Sequence, residues 1–171
     1  MIRRGVAMYG DFPRQWIGAA EKFASARERS NSERLQHHDR GEANNLRGNL
    51  VGMLGERLAQ LHRPDLGVDP KRLYSSGATA PKVDGTSGID IKSAPMGRAR
   101  ILINQRQASD TGIVGVVIVL VDVDDARFWL SPVVPIGEIR SWPVFAGPYG
   151  DPAYYQLQRE LLTDRFPIPG I

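Results

Sequence analysis

The chain contains no cysteine, which excludes a disulfide framework, a thiolate zinc site and a cysteine nucleophile together. It has no GxxxxGK[ST] phosphate cradle and no GxSxG elbow, so neither P-loop ATP hydrolysis nor serine-esterase chemistry is expected. Long apolar runs are missing too. The most hydrophobic stretch, Ile113 to Val121, is interrupted by Gly115 and is about half of what a membrane-crossing helix needs. The opening MIRRGVAMYGDFPRQW carries a basic pair with no apolar stretch behind it, so no signal peptide and no membrane partner is expected, and a cytoplasmic location is. Lysine is scarce: of 22 basic residues only Lys22, Lys71, Lys82 and Lys92 are not Arg. A lysine kept in so Arg-rich a chain marks a place where a compact ammonium serves and a planar guanidinium does not.

What remains is an ordinary globular composition. With 171 residues, 42% of them hydrophobic and 24% charged, there is material for one compact domain with a sizeable core. The formal net charge of +3 permits a polyanionic partner without requiring one.

Three segments follow from the patterning. Residues 1–44 predict an N-terminal helix and a polar linker. Trp16, Ile17, Ala20, Phe23 and Ala24 recur at helical spacing between Asp11 and Arg29, and SNSERLQHHDRGE has no apolar face. Residues 45–130 predict the core of the domain. Asn44 or Asn45 caps a second helix whose stripe is Leu46, Leu50, Met53, Leu54, Leu58 and Leu61, ending near Pro64. Short strands follow at Arg72 to Tyr74, Ile89 to Lys92, Arg100 to Asn104, Gly112 to Val121 and Arg127 to Leu130, with Asp122 to Asp125 as a turn. Residues 131–171 predict a Pro- and Gly-rich loop and then a helix, Ala153 to Leu162, with Tyr154, Leu157 and Leu161 on one face. The expected fold is α+β, a mixed α/β sandwich with one central sheet of about four or five strands flanked by helices.

One segment concentrates the chemistry. In KVDGTSGIDIKS, Gly85 to Gly88 is a turn cluster, so Val83-Asp84 and Ile89 to Lys92 pair as hairpin arms with Asp84 opposite Asp90. Opposed residues share a face with Cβ atoms about 5 Å apart, and period-2 alternation adds Lys92 to that face while Ile89 and Ile91 turn to the core. Two carboxylates repel unless a cation joins them, and hard oxygen ligands with open positions suit Mg²⁺ held against a phosphate. On the second helix Gly48, Gly52 and Gly55 lie away from the leucine stripe, each at a cost of about 1 kcal/mol relative to Ala. Such a face allows close approach to another backbone and would deliver Glu56 to the edge of the site. The bland alternative is a solvent-facing hairpin with ordinary charge pairing.

Glu56, Asp84, Asp90 and Lys92, in that order, resemble the PD-(D/E)xK nuclease superfamily, with its restriction-endonuclease-like fold. There a helix carrying Glu precedes a strand bearing Asp and then a strand bearing an acid, one spacer and Lys. The likeness covers about Asn45 to Leu130. Val83 stands where Pro often precedes the first acid, and the spacing from Asp84 to Asp90 is short. With 19 acids and four lysines in 171 positions, chance supplies about 19 × 4/171, or roughly 0.4, acid-x-Lys tripeptides. A second one, Asp69-Pro70-Lys71, is set aside because Pro70 does not suit a central strand. The resemblance implies Mg²⁺-dependent hydrolysis of phosphodiesters, with Mn²⁺ able to substitute. The metal would be held by Asp84, Asp90, the Ile91 carbonyl and Glu56, with Lys92 oriented on the attacking water. It also implies a homodimer acting on nucleic acid, most readily double-stranded DNA.

Arg98, Arg100, Asn104, Gln105, Arg106 and Gln107 follow the site and are the expected phosphate and base contacts, against the alternative of a solvated strand and turn. Trp142 to Tyr149 is the expected dimer surface. His37-His38-Asp39 with Glu42 reads as a solvated linker because adjacent helical histidines diverge by about 100°. Asp122, Asp124 and Asp125 read as a charged turn, since the glycine and distal Glu of a Ca²⁺ loop are missing. Trp129, Trp142, Tyr149, Tyr154 and Tyr155 read as core or interface residues before base-stacking ones. The competing functions are a non-catalytic nucleic-acid-binding or assembly protein on the same fold, and an RNA-cleaving toxin domain.

Overall fold

In the computed structural model the described residues are 5–32, 42–68, 87–97, 100–146 and 152–158, and the side chains of 26–32, 42–45 and 107 are outside the description. The chain begins with strand β1 (Met8–Asp11), then helices α1 (Gln15–Ser32) and α2 (Glu42–His62) and a short 3₁₀ turn, Pro64–Leu66. Strands β2 (Ile89–Pro95) and β3 (Arg100–Asn104) lead to a one-turn helix, α3 (Gln105–Ala108). After it come β4 (Gly115–Asp122), β5 (Arg127–Leu130), β6 (Val134–Pro135), the one-turn α4 (Ile136–Ile139), β7 (Val144–Ala146) and β8 (Pro152–Leu157).

The main sheet runs β1-β5-β4-β2, with β6 pairing β4 beyond the end of β5. It is mixed: β2 lies parallel to β4, placing Asp90 beside Val116 and Lys92 beside Ile118, and the other pairs are antiparallel. β4 (GVVIVLVD) is buried on both faces through Val121, as a central strand of continuous branched residues should be. β5 and β6 are separated at Ser131-Pro132. There the Ile118 N–H donates to the Ser131 hydroxyl at 2.9 Å, and the hydroxyl donates to the Pro132 carbonyl. The side chain thereby satisfies a β4 amide as the strand bends away.

The two faces of this sheet carry two cores. On one face Ile89, Ile91, Val117, Val119 and Val121 meet Leu50, Val51, Leu54 and Leu58 of α2, with α1 packed outside. Of the predicted stripe on α2, Leu50, Met53, Leu54 and Leu58 are buried, Leu46 is half-buried and Leu61 is 59% exposed, while Val51 and Ala59 are buried as well. The helix also starts at Glu42, so neither Asn44 nor Asn45 is its cap. On the opposite face Ala94, Val116, Ile118 and Leu120 pack against Ile101 and Ile103 of β3 and against Trp129, Ile139 and Trp142. β3 belongs to a second, three-stranded antiparallel sheet, β3-β8-β7, that covers this face. Buried Gln158 ties the sheets together: its Nε2 donates to the Pro95 carbonyl at 3.0 Å and its Oε1 accepts the Gly97 N–H at 3.1 Å.

An α+β fold is therefore present, but several expectations are corrected. The C-terminal helix expected from Ala153 is strand β8, because Tyr154 pairs with Ile103 and Tyr155 with Leu102. Hydrogen bonding to β3 and burial of the Tyr154 ring outweigh the helical spacing. The expected loop from Ser141 contains β7, and Trp142, expected at a dimer surface, is buried in the core between the sheets. β1 is not among the expected strands; it ends at Asp11, where the first helix is expected to begin, and its backbone is paired with β5. The strand expected at Arg72 to Tyr74, His37 and His38, and residues 147–150 lie outside the described residues. No helix among the described residues is long and apolar enough to cross a membrane.

The charged β4–β5 turn gives a pH prediction. The Asp122 carboxylate accepts the Asp125 N–H at 3.1 Å and the Arg127 guanidinium at 3.2 Å. These hold its carboxyl below the usual range, the Asp125 amide contributing most. A depressed carboxyl stabilises the fold above its unfolded pKa of about 4, and that contribution is lost as pH falls through the folded value. Asp122→Ala is thus expected to cost about 1 kcal/mol at pH 7. In urea unfolding its deficit relative to wild type should shrink below about pH 4; a deficit independent of pH contradicts this.

Candidate nuclease site

Strand periodicity places Asp90 and Lys92 on one face of β2, and the structure brings the two together. Lys92 Nζ lies 3.4 Å from Asp90 Oδ2. Ile89 and Ile91 turn to the other face and join the core under α2, as alternation demands. Asp90 is 3% exposed, whereas the Lys92 side chain is 31% exposed and so reaches solvent. A solvent-facing hairpin does not place its carboxylate in this way. Burying a carboxylate costs several kcal/mol unless cations or donors meet it, so Asp90 needs its ammonium neighbour. The pair lies on the face that the second sheet covers, with Asp90 near the start of the β2–β4 ladder and Lys92 at its middle.

Glu56 comes from the other side of the sheet. Gly55 is the close approach expected of α2: a Cβ there would stand 2.7 Å from Ser93 Cβ and 3.4 Å from Val119 Cβ. Gly48 and Gly52 meet nothing within 4 Å, so only one of the three glycines is required by packing. Ser93 and Val119 lie on the α2 face, opposite Asp90 and Lys92. Glu56 is half-buried on α2 one residue after Gly55, and α2 packs on the opposite face of the sheet from the pair. Asp84 lies outside the described residues, as does the hairpin arm that was to carry it. The turn into β2 is described at Ser87, whose hydroxyl donates to the Leu66 carbonyl at 3.0 Å, and at Gly88, whose φ of +75° suits glycine.

Among the described residues, no three His, Asp or Glu side chains form a metal-holding group. The oxygen donors of the expected set are the Asp90 carboxylate and the Ile91 carbonyl on β2, and Glu56 on α2, which packs on the opposite face of the sheet from Asp90. They are hard ligands of the kind Mg²⁺ takes, and Mg²⁺ uses few protein ligands because it keeps much of its water. In chemical type the set fits the ion.

The expected nucleic-acid contacts separate from this pair. Arg98 is outside the described residues. Arg100 and Asn104 lie on β3, in the second sheet, and the Asn104 carboxamide oxygen accepts the Arg106 N–H at 2.7 Å, capping α3. Arg106 is exposed, Gln105 is half-buried, and the Gln107 side chain is outside the description. Arg100 stacks over Phe145 at 4.7 Å and Tyr155 at 5.8 Å. The sequence placed Phe145 only within an expected dimer surface and Tyr155 among core or interface residues, because the pairing of β8 with β3 and β7 has no local signal.

Comparison with known proteins finds no family model that matches the chain, and no curated protein or solved structure that does. The functional reading therefore rests on the residues themselves.

Proposed function

We propose that the chain is a divalent-metal-dependent nuclease of the PD-(D/E)xK type, hydrolysing phosphodiester bonds of DNA. The observation that carries the proposal is the buried Asp90 carboxylate held 3.4 Å from the solvent-reaching Lys92 ammonium on one strand face. Carboxylates are seldom buried this deeply unless paired, and here the paired ammonium is the group that reaches solvent. The order of α2 with Glu56, then β2 with Asp90-Ile91-Lys92, supports the same reading.

In this reading Asp90, the Ile91 carbonyl, Glu56 and Asp84 are the residues that hold Mg²⁺. When bound, the ion supplies a water of lowered pKa and a positive charge against the phosphate. Asp90 orients the Lys92 ammonium through their ion pair. Lys92 holds the attacking water by hydrogen bonding and offsets negative charge growing on the phosphate oxygens. In this reading Lys92 acts as donor and electrostatic stabiliser. Cutting both strands of a duplex would need two such sites, hence a homodimer.

Plasmid, single-stranded DNA and tRNA incubated with Mg²⁺ or with EDTA test this. Cleavage of DNA in Mg²⁺ alone, lost in Lys92→Met, is the expected result; cleavage unaffected by EDTA contradicts it. Cleavage restricted to tRNA would move the assignment to an RNA-cleaving domain. The absence of a three-acid group among the described residues favours one other reading, a nucleic-acid-binding or assembly protein without turnover. That protein would bind with strong salt dependence and no response to metal.

A further inference from the structure

We propose that the outward face of the second sheet is a stacking platform for unpaired nucleotides. The inference rests on the nuclease reading only in taking nucleic acid as the ligand. It then specifies what part of the substrate this protein holds away from the Asp90–Lys92 pair.

The register defines the face. Leu102 pairs with Tyr155, Arg100 with Leu157, and both Asn104 and Phe145 pair with Ala153. Opposed residues share a side of a sheet, so Arg100, Leu102, Phe145 and Tyr155 look one way while Ile101, Ile103 and Tyr154 pack into the core between the sheets. Leu102 is 40% exposed and Phe145 36%, and Arg100 is exposed beside them. Phe145 and Tyr155 meet edge-on at 5.9 Å, with the Arg100 guanidinium over both.

Charge identifies the occupant. The strands RILIN, VFA and PAYYQL hold one charged side chain between them, Arg100, and no carboxylate. α3 continues directly from β3 and adds the exposed Arg106. A polyanion with planar, apolar bases satisfies both features at once: its phosphates meet the guanidinium groups, and its bases lie on the aromatic and guanidinium planes. Bases in a duplex are stacked on each other and cannot offer those faces, so the strand held here is unpaired.

The test is fluorescence anisotropy with labelled oligo(dT) in EDTA, where no cleavage intervenes. Phe145→Ala and Tyr155→Ala should each weaken binding about tenfold, Tyr155→Phe should bind as wild type, and a blunt duplex should bind weakly and equally to all. Phe145 is partly exposed on a three-residue strand, so its truncation leaves both cores in place. Equal oligo(dT) affinity for wild type and Phe145→Ala, or no binding by wild type, overturns the platform. So does a change from dimer to monomer in sedimentation with affinity unchanged, which would make the face a contact between copies. The nuclease reading fails separately, by absent Mg²⁺-dependent cleavage while oligo(dT) binding persists.

Discussion

Asp90→Ala is expected to lower the rate of Mg²⁺-dependent cleavage by at least about 10³-fold, roughly 4 kcal/mol of transition-state stabilisation, while the fold persists. The expectation combines two properties of one residue. Asp90 is the only described carboxylate that is both buried and adjacent to a lysine on its own strand face. Its removal would take away an oxygen ligand and the ion pair that directs Lys92. Lys92, being 31% exposed, can rehydrate once its partner is gone, so the stability change should stay within about 1 kcal/mol. A purely structural ion pair predicts the opposite pattern, a clear loss of stability with no chemistry to lose. Asp90→Asn sharpens the comparison because it keeps the volume and removes only the charge. Rates measured alongside thermal unfolding of the same preparations separate the two; full activity in either variant refutes the assignment.

Gly55→Ala is expected to destabilise the fold by about 2 kcal/mol or more, although alanine is the better helix former. The new methyl would meet Ser93 Cβ at 2.7 Å and Val119 Cβ at 3.4 Å. Ser93 Cβ is fixed to the β2 backbone, so the helix must move off the sheet to make room. β2 carries Asp90 and Lys92, and a displaced β2 should reduce cleavage as well. Gly52→Ala supplies the control on the same helix. Nothing lies within 4 Å of its Cβ position, so only helix propensity acts and stability should rise by about 1 kcal/mol. Chemical denaturation of the two single variants checks the opposite signs. Two changes of the same sign would mean that α2 is not seated on β2 at Gly55.

The contrast between these glycines shows how much the sequence could say. Three unfavourable glycines on one side of α2 announced a close approach, and one exists, but composition could not tell which residue makes it. Elements whose stability is written in local periodicity were legible: the leucine stripe of α2, the branched run of β4, and the period-2 alternation that put Asp90 and Lys92 on one side of β2. Elements that exist only through distant partners were not. β1 is four residues that form a strand because β5 offers its edge, and β8 has helical spacing overruled by pairing with β3. Because the pairing of β3 with β8 was not legible, neither was the gathering of Arg100, Phe145 and Tyr155 on the outer side of the second sheet. The charged turn from Asp122 to Asp125 was legible because its hydrogen bonds are local.

Calorimetric titration of Mn²⁺ into the protein bound to a phosphorothioate oligonucleotide, compared between wild type and Asp90→Asn, tests the central claim most directly. Wild type should take up at least one ion per chain, and Asp90→Asn should lose that uptake while remaining folded. Identical titrations for the two proteins would mean that the acid on β2 holds no metal, and the proposed chemistry would have to be given up.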